Sequence, residues 1–168
     1  MKKITINHVN EDIYFDTLDN GLKVYLYVNK NMHNNYVTFT TKYGSVNNEF
    51  GLGKDGKFFK VPNGIAHFLE HKVFVQEKDP QPEDYFARSG GICNAYTTFK
   101  NTTYLFSSCD NVIDNVGFLL DFVQNPLAIL SLIQLIKTYL YFLYQILRYL
   151  RADTVLFCLQ KRQYGLMV

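Results

Sequence analysis

The chain has 168 residues, a formal net charge of +2, and 48% hydrophobic and 19% charged residues, an ordinary globular mix with room for one modest domain and a real core. So small a charge excludes a strong electrostatic pull toward nucleic acid, and 13 Tyr with 14 Phe exclude intrinsic disorder. Three cysteines, Cys93, Cys109 and Cys158, with no CxxC pair, exclude a disulfide scaffold.

The first residues, Met1 to His8, carry positive charge with no apolar stretch behind them. They do not read as a secretory signal, and a reducing cytoplasm with free thiols is the expected compartment. Residues 13–28 read as a β-hairpin, because Tyr14–Leu18 and Leu22–Val28 flank Asp19-Asn20-Gly21 and Asn-Gly supplies the positive φ that such turns need. Residues 36–42 read as a further strand ended by Gly44. Residues 44–63 carry Gly44, Gly51, Gly53, Gly56, Pro62 and Asn63 and read as loop. A helix is predicted from about Gly64 to about Val75. A short one follows from about Pro82 to Arg88, stopped by Ser89-Gly90-Gly91. Residues 92–98 and 102–108 alternate as strands do. Asp110 is the predicted N-cap of a helix carrying Val112, Ile113, Val116, Leu119, Leu120, Phe122 and Val123 at helical spacing. Strands interleaved with helices predict a two-layer α/β or α+β domain.

Charge breaks the chain in two. Residues 1–126 hold 14 of the 15 acids and 12 of the 17 bases, and residues 127–168 hold only Asp153 and five bases. The expected organisation is therefore a domain over 1–126 and an apolar, basic tail over 127–168. From Leu127 to Leu150 the tail is a Leu/Ile/Tyr run that reads as a long buried or partner-binding helix. Membrane association through 127–150 is the less favoured reading. About 20 apolar residues suffice to span, but Lys137 sits near the middle at a cost of roughly 2.5–3.5 kcal/mol.

The chemistry is carried by His67-x-x-Glu70-His71. On a helix, positions i and i+4 share a face, so His67 and His71 can offer two imidazoles to one zinc ion, and Glu70 lies beside them to deprotonate a water that zinc brings to a pKa near 7. By composition the pentapeptide is expected about 0.003 times in a chain of this length. Set against this, His pairs on helices are often plain surface polar residues. The order inverts His-Glu-x-x-His, an arrangement that is itself a metallopeptidase signature. His8 and His33 lie in polar stretches and are given no role; Cys93 reads as a structural thiol.

The stretch from Val61 to Phe74, with Gly90-Gly91-Ile92-Cys93-Asn94-Ala95-Tyr96-Thr97-Thr98 and Thr102-Thr103-Tyr104-Leu105-Phe106, resembles the insulinase/pitrilysin family of zinc metallopeptidases. Leu18 to Val24 is similar to that family's first hairpin and Thr38 to Ser45 to its next strand; the likeness covers about residues 10–126 and is nearest to the bacterial, cytoplasmic branch. It implies an α+β, two-layer antiparallel-sheet and helix domain, incomplete, with an apolar helical tail. It implies zinc as cofactor, His67 and His71 as ligands and Glu70 as general base. Asn94 and Ala95 would bind an extended peptide substrate by strand addition on an edge strand; without the likeness they read as an ordinary strand edge.

The sequence departs from the family's pattern in one respect. The family takes a third ligand, a glutamate, from a helix some seventy-odd residues after the second histidine. Here that distance falls in about 140–150, and no glutamate follows Glu83. Catalytic zinc sites keep three protein ligands. The implied protein is therefore a truncated zinc metalloendopeptidase with weak zinc binding and little activity alone, its tail the product of a disrupted reading frame. A second homologous peptidase-like subunit is the implied partner. The alternative is a non-catalytic relative that binds peptides or a partner.

Overall fold

The computed structural model describes residues 1–7, 11–29, 31–52, 57–76, 79–125 and 154–160. The elements run β1 (Lys2–Ile6), β2 (Glu11–Thr17), β3 (Lys23–Asn29), β4 (Asn35–Thr41), β5 (Glu49–Leu52), β6 (Lys57–Lys60), α1 (Ile65–Val73), α2 (Pro82–Arg88), β7 (Ile92–Thr97), β8 (Thr102–Ser108), α3 (Val112–Gln124) and β9 (Thr154–Gln160). The fold is α+β. Seven strands form one sheet in the order β1-β2-β3-β9-β4-β8-β7, and β5 and β6 form a separate two-stranded sheet.

The turn chemistry of the first hairpin is the one its sequence predicts. Gly21 takes φ 86°, and Asn20 Oδ1 accepts the Leu22 N–H at 3.0 Å. At the other end of the sheet, β4, β8 and β7 share a register that aligns Val37, Phe106 and Cys93, then Phe39, Tyr104 and Ala95, then Thr41, Thr102 and Thr97. These rows face the helices. Val37, Phe39, Tyr104 and Phe106 join Val73 of α1, Phe86 of α2 and Val112, Leu119, Phe122 and Val123 of α3 in one buried core. Fully burying such a side chain is worth about 1.5–3 kcal/mol, so these contacts fix α1 over β7 and β8. Tyr36, Ile92 and Tyr96, on the opposite face, are exposed.

Four expectations change. Residues 44–63, predicted as loop, contain the antiparallel pair β5–β6; Gly51 lies inside β5, so a glycine there does not exclude a strand. Residues 154–160, expected in a helical tail, form β9, which pairs parallel with β3 and antiparallel with β4. Their sequence, Thr-Val-Leu-Phe-Cys-Leu-Gln, is the uncharged, β-branched and aromatic kind that central strands use. The sheet is thus antiparallel except at β3–β9. Finally, the N-cap of α3 is Asn111, in the left-handed region at φ 54° with no side-chain capping bond, and not Asp110; Asn tolerates that conformation. Buried Asn115 ties down the same turn, donating to the Asp110 carbonyl at 3.2 Å and to Ser108 Oγ at 3.0 Å. The helical and membrane readings of 127–150 lie outside the described residues. Among those described, no helix is long and apolar enough to cross a membrane.

Candidate metal centre

Helix α1 is short and starts at Gly64, whose φ of 86° is a left-handed conformation that suits glycine. Its buried residues are Ala66, Leu69, Glu70 and Val73, a spacing that marks the core-facing stripe. Glu70 is the exception in that stripe, a carboxylate only 7% exposed. Carboxylates are almost never this buried without a partner. Its partner comes from β7, where Thr97 Oγ1 donates to Glu70 Oε2 at 2.7 Å.

His67 and His71 lie on the exposed side of the same helix. Their rings stand 4.7 Å apart between centroids, and Nε2 meets Nε2 at 3.0 Å. The rings converge on one point that is open to water. Two nitrogens held about 2.1 Å from a tetrahedral zinc ion are about 3.4 Å apart, so this spacing suits a shared cation with little rearrangement. One ligand atom each from His67, Glu70 and His71 lies within 4.8 Å of the others. Two imidazoles and a carboxylate form a donor set that zinc accepts.

Asn94 and Ala95 lie on β7, which ends the sheet order and is therefore an edge strand. Thr98 donates its backbone N–H to Asn101 across the β7–β8 turn at 2.7 Å. By alternation, the backbone groups of Tyr96, Asn94 and Ile92 then point at β8, and those of Cys93, Ala95 and Thr97 point outward. In keeping with this, the Ala95 N–H bonds no neighbouring strand among the described residues; it donates to the side-chain oxygen of Asn94 at 2.8 Å.

Three residues of this centre carried no role in the sequence reading. Thr97 holds Glu70. Thr102, opposite Thr97 in the register, donates to the Tyr43 carbonyl at 2.8 Å. Tyr104 is buried, and burial together with the nearby Glu70 charge raises its phenol above its ordinary range. The alternation of β7 does put Thr97 on the face of Ala95, but only the packing of α1 on the sheet brings Glu70 to it. Cys93 is half-buried, and burial, with Glu83 adding to it, pushes its thiol up to about 12, which leaves little thiolate at neutral pH.

Residues 60–140 match the family model described as Insulinase (Peptidase family M16). The uncharacterized zinc protease YmfH of Bacillus subtilis is 45% identical over 127 residues, which are 75% of this chain and 29% of that protein. Mitochondrial-processing peptidase subunit beta of Dictyostelium discoideum is 39% identical over 77 residues, 43% of this chain and 16% of that one. The crystal structure of an M16-like peptidase from Alicyclobacillus acidocaldarius superposes with a TM-score of 0.62 at 43% identity, covering 67% of this chain and 26% of its own. The chain thus spans under a third of the length of each of these relatives.

Proposed function

Because the chain belongs to the insulinase family (peptidase family M16), we propose that it carries the metal-binding part of a zinc metalloendopeptidase site, with His67 and His71 as ligands, Glu70 as general base and the β7 edge at Asn94 and Ala95 as the seat of an extended peptide. The observation that carries this reading is the 3.0 Å approach of the two Nε2 atoms beside a buried carboxylate on the same helix. Zinc, when bound there, would polarise the scissile carbonyl and acidify a water.

The chain's own residues do the rest. Glu70 takes a proton from the attacking water and passes it to the leaving amine, as a general base that turns acid. Burial and the Thr97 bond keep its carboxylate in one position. The outward backbone groups of Cys93, Ala95 and Thr97 pair with the peptide main chain, which gives affinity with little dependence on side chains. The Asn94 side chain now occupies the Ala95 N–H and moves aside when a peptide strand arrives.

Within these 168 residues no glutamate follows Glu83, and this supports weak zinc retention and slow cleavage by the chain on its own. The same fact favours a second reading, a non-catalytic relative that binds a peptide or partner through the β7 edge. A second peptidase-like subunit is the proposed partner, in keeping with the subunit named among the relatives. Zinc content by elemental analysis, with cleavage of a quenched peptide by the wild type and by Glu70→Gln, tests the two. Zinc in both proteins and slow cleavage by the wild type alone is the expected result. Equal turnover in both removes Glu70 as base, and peptide binding without zinc favours the second reading.

A further inference from the structure

Glu70 stands where it can do either of two incompatible jobs. His67-x-x-Glu70 has the i, i+3 spacing by which a histidine and a glutamate on one helix bind the same metal in carboxylate-rich sites, and the candidate ligand atoms lie within 4.8 Å of one another. A carboxylate that closes onto the ion is no longer a free base. The environment of Glu70 decides between the two.

That environment has one directional element. Thr97 Oγ1 lies 2.7 Å from Glu70 Oε2 and 3.3 Å from Thr102 Oγ1. A hydroxyl has a single proton. Thr102 spends its own on the Tyr43 carbonyl at 2.8 Å, so it has none for Thr97, and the Thr97 proton goes to Glu70. Both threonines are held by the β7–β8 register, which pairs them directly. The bond therefore comes from the rigid sheet and pulls the carboxylate toward the sheet, away from the exposed histidine nitrogens. Without it, Oε2 loses the one hydrogen bond it makes to the sheet, which costs the full desolvation of the group, and a cation on His67 and His71, whose ligand atoms lie within 4.8 Å, is a partner it can take.

We infer that Thr97 is a positioning residue that holds Glu70 as a base and keeps it from closing in as a third metal ligand. This rests on the zinc-site reading above. It predicts an unusual sign: losing the hydroxyl tightens metal binding. Zinc affinity of the full 168-residue chain, measured by chelator competition, reads this without any need for turnover. Thr97→Val is expected to bind zinc roughly tenfold more tightly, the lower end of what partners of metal-site groups are worth. Thr97→Ser is expected to match the wild type, and Thr97→Val in a Glu70→Gln background to match Glu70→Gln alone. Thr97→Ala is a second hydroxyl-free variant with no added bulk.

Unchanged or weaker zinc binding by the hydroxyl-free variants overturns the inference, as does a gain that persists without Glu70. So does loss of the fold in both, which would make the hydroxyl a matter of stability. A wild-type chain that binds no zinc overturns the zinc-site reading itself, and the inference with it. A failure confined to the Thr97 variants leaves that reading standing.

Discussion

His67 Nε2 and His71 Nε2 stand 3.0 Å apart on the exposed side of a helix whose other side is core. With no cation between them, one ring must donate to the other. With one, both lone pairs are used. Zinc held by the folded site and not by the unfolded chain would, at one hundred times its dissociation constant, add about 2.7 kcal/mol of stability, several degrees in a domain of this size. Thermal melts with zinc and with a chelator should differ by that amount in the wild type. His71→Ala should melt at the chelator-treated temperature whether or not zinc is added. A zinc-dependent rise that survives in His71→Ala would assign the metal to another site.

The two sides of β7 should respond differently to proline. Proline removes an N–H. At Asn94 that N–H points at Leu105 of β8, its register partner, and its loss leaves a ladder carbonyl unpaired at about 1–3 kcal/mol. At Ala95 it points away from the sheet and bonds only the neighbouring side chain, the position where edge strands tolerate proline. Urea midpoints should therefore fall clearly more for Asn94→Pro than for Ala95→Pro. Ala95→Pro should weaken binding of an extended peptide while keeping the fold. Equal destabilisation by the two would mean that the outward and inward faces of β7 are assigned the wrong way round.

The parts of the fold that were legible in the sequence are those set by local chemistry. Asn20-Gly21 specified its turn, Pro82 and Ser89-Gly90-Gly91 bounded α2, and the run from Gly64 to Val75 was predicted as the helix that holds α1. The pentapeptide on α1 could be read because its geometry lies within one helical turn. What was not legible depends on distant partners. The strand β9 becomes recognisable only between β3 and β4, since a short apolar run reads equally as buried helix. Asp110 was the predicted cap, and the left-handed tolerance of Asn111 with the Asn115 network decided otherwise. Thr97 lies 27 residues from Glu70, and nothing in its local sequence marks it as the partner of a buried carboxylate.

Gly44 and Gly21 separate two reasons for glycine. A Cβ on Gly44 would stand 2.5 Å from the Phe99 carbonyl oxygen and 2.6 Å from the Asn101 nitrogen, all backbone. The chain passes under the β7–β8 turn here, with Ser45 and Val46 donating to the Thr98 and Phe99 carbonyls at 3.0 and 3.1 Å. Gly21 has open space around its Cβ direction but a φ of +86°. Gly44→Ala should cost about 1–3 kcal/mol by displacing the turn, and Gly21→Ala about 1 kcal/mol by strain alone. Because the displaced turn closes the end of β7, Gly44→Ala should also weaken peptide binding at that edge, and Gly21→Ala should leave it alone. Denaturation curves with peptide titrations check this, and a harmless Gly44→Ala would mean the turn can shift freely.

Two buried phenols, with the half-buried Cys93 thiol, set the alkaline limit of the fold. Tyr43 is buried, its hydroxyl has no hydrogen-bond partner among the described residues, and burial pushes it from its ordinary 10.0 up to about 12. Burial raises Tyr104 as well, and the Glu70 charge adds to it. The folded state thus favours the protonated phenols. In the unfolded chain both ionise near about 10, so the unfolded state binds fewer protons above that pH. Stability from these groups is fully present below about pH 10 and is lost as the pH rises through the folded-state values. The urea midpoint should be flat up to about pH 8, begin to fall as the unfolded Cys93 thiol ionises, and fall more steeply above about pH 10; Tyr104→Phe should make the steeper part shallower. An alkaline fall as steep in Tyr104→Phe as in the wild type would place the sensitive group elsewhere.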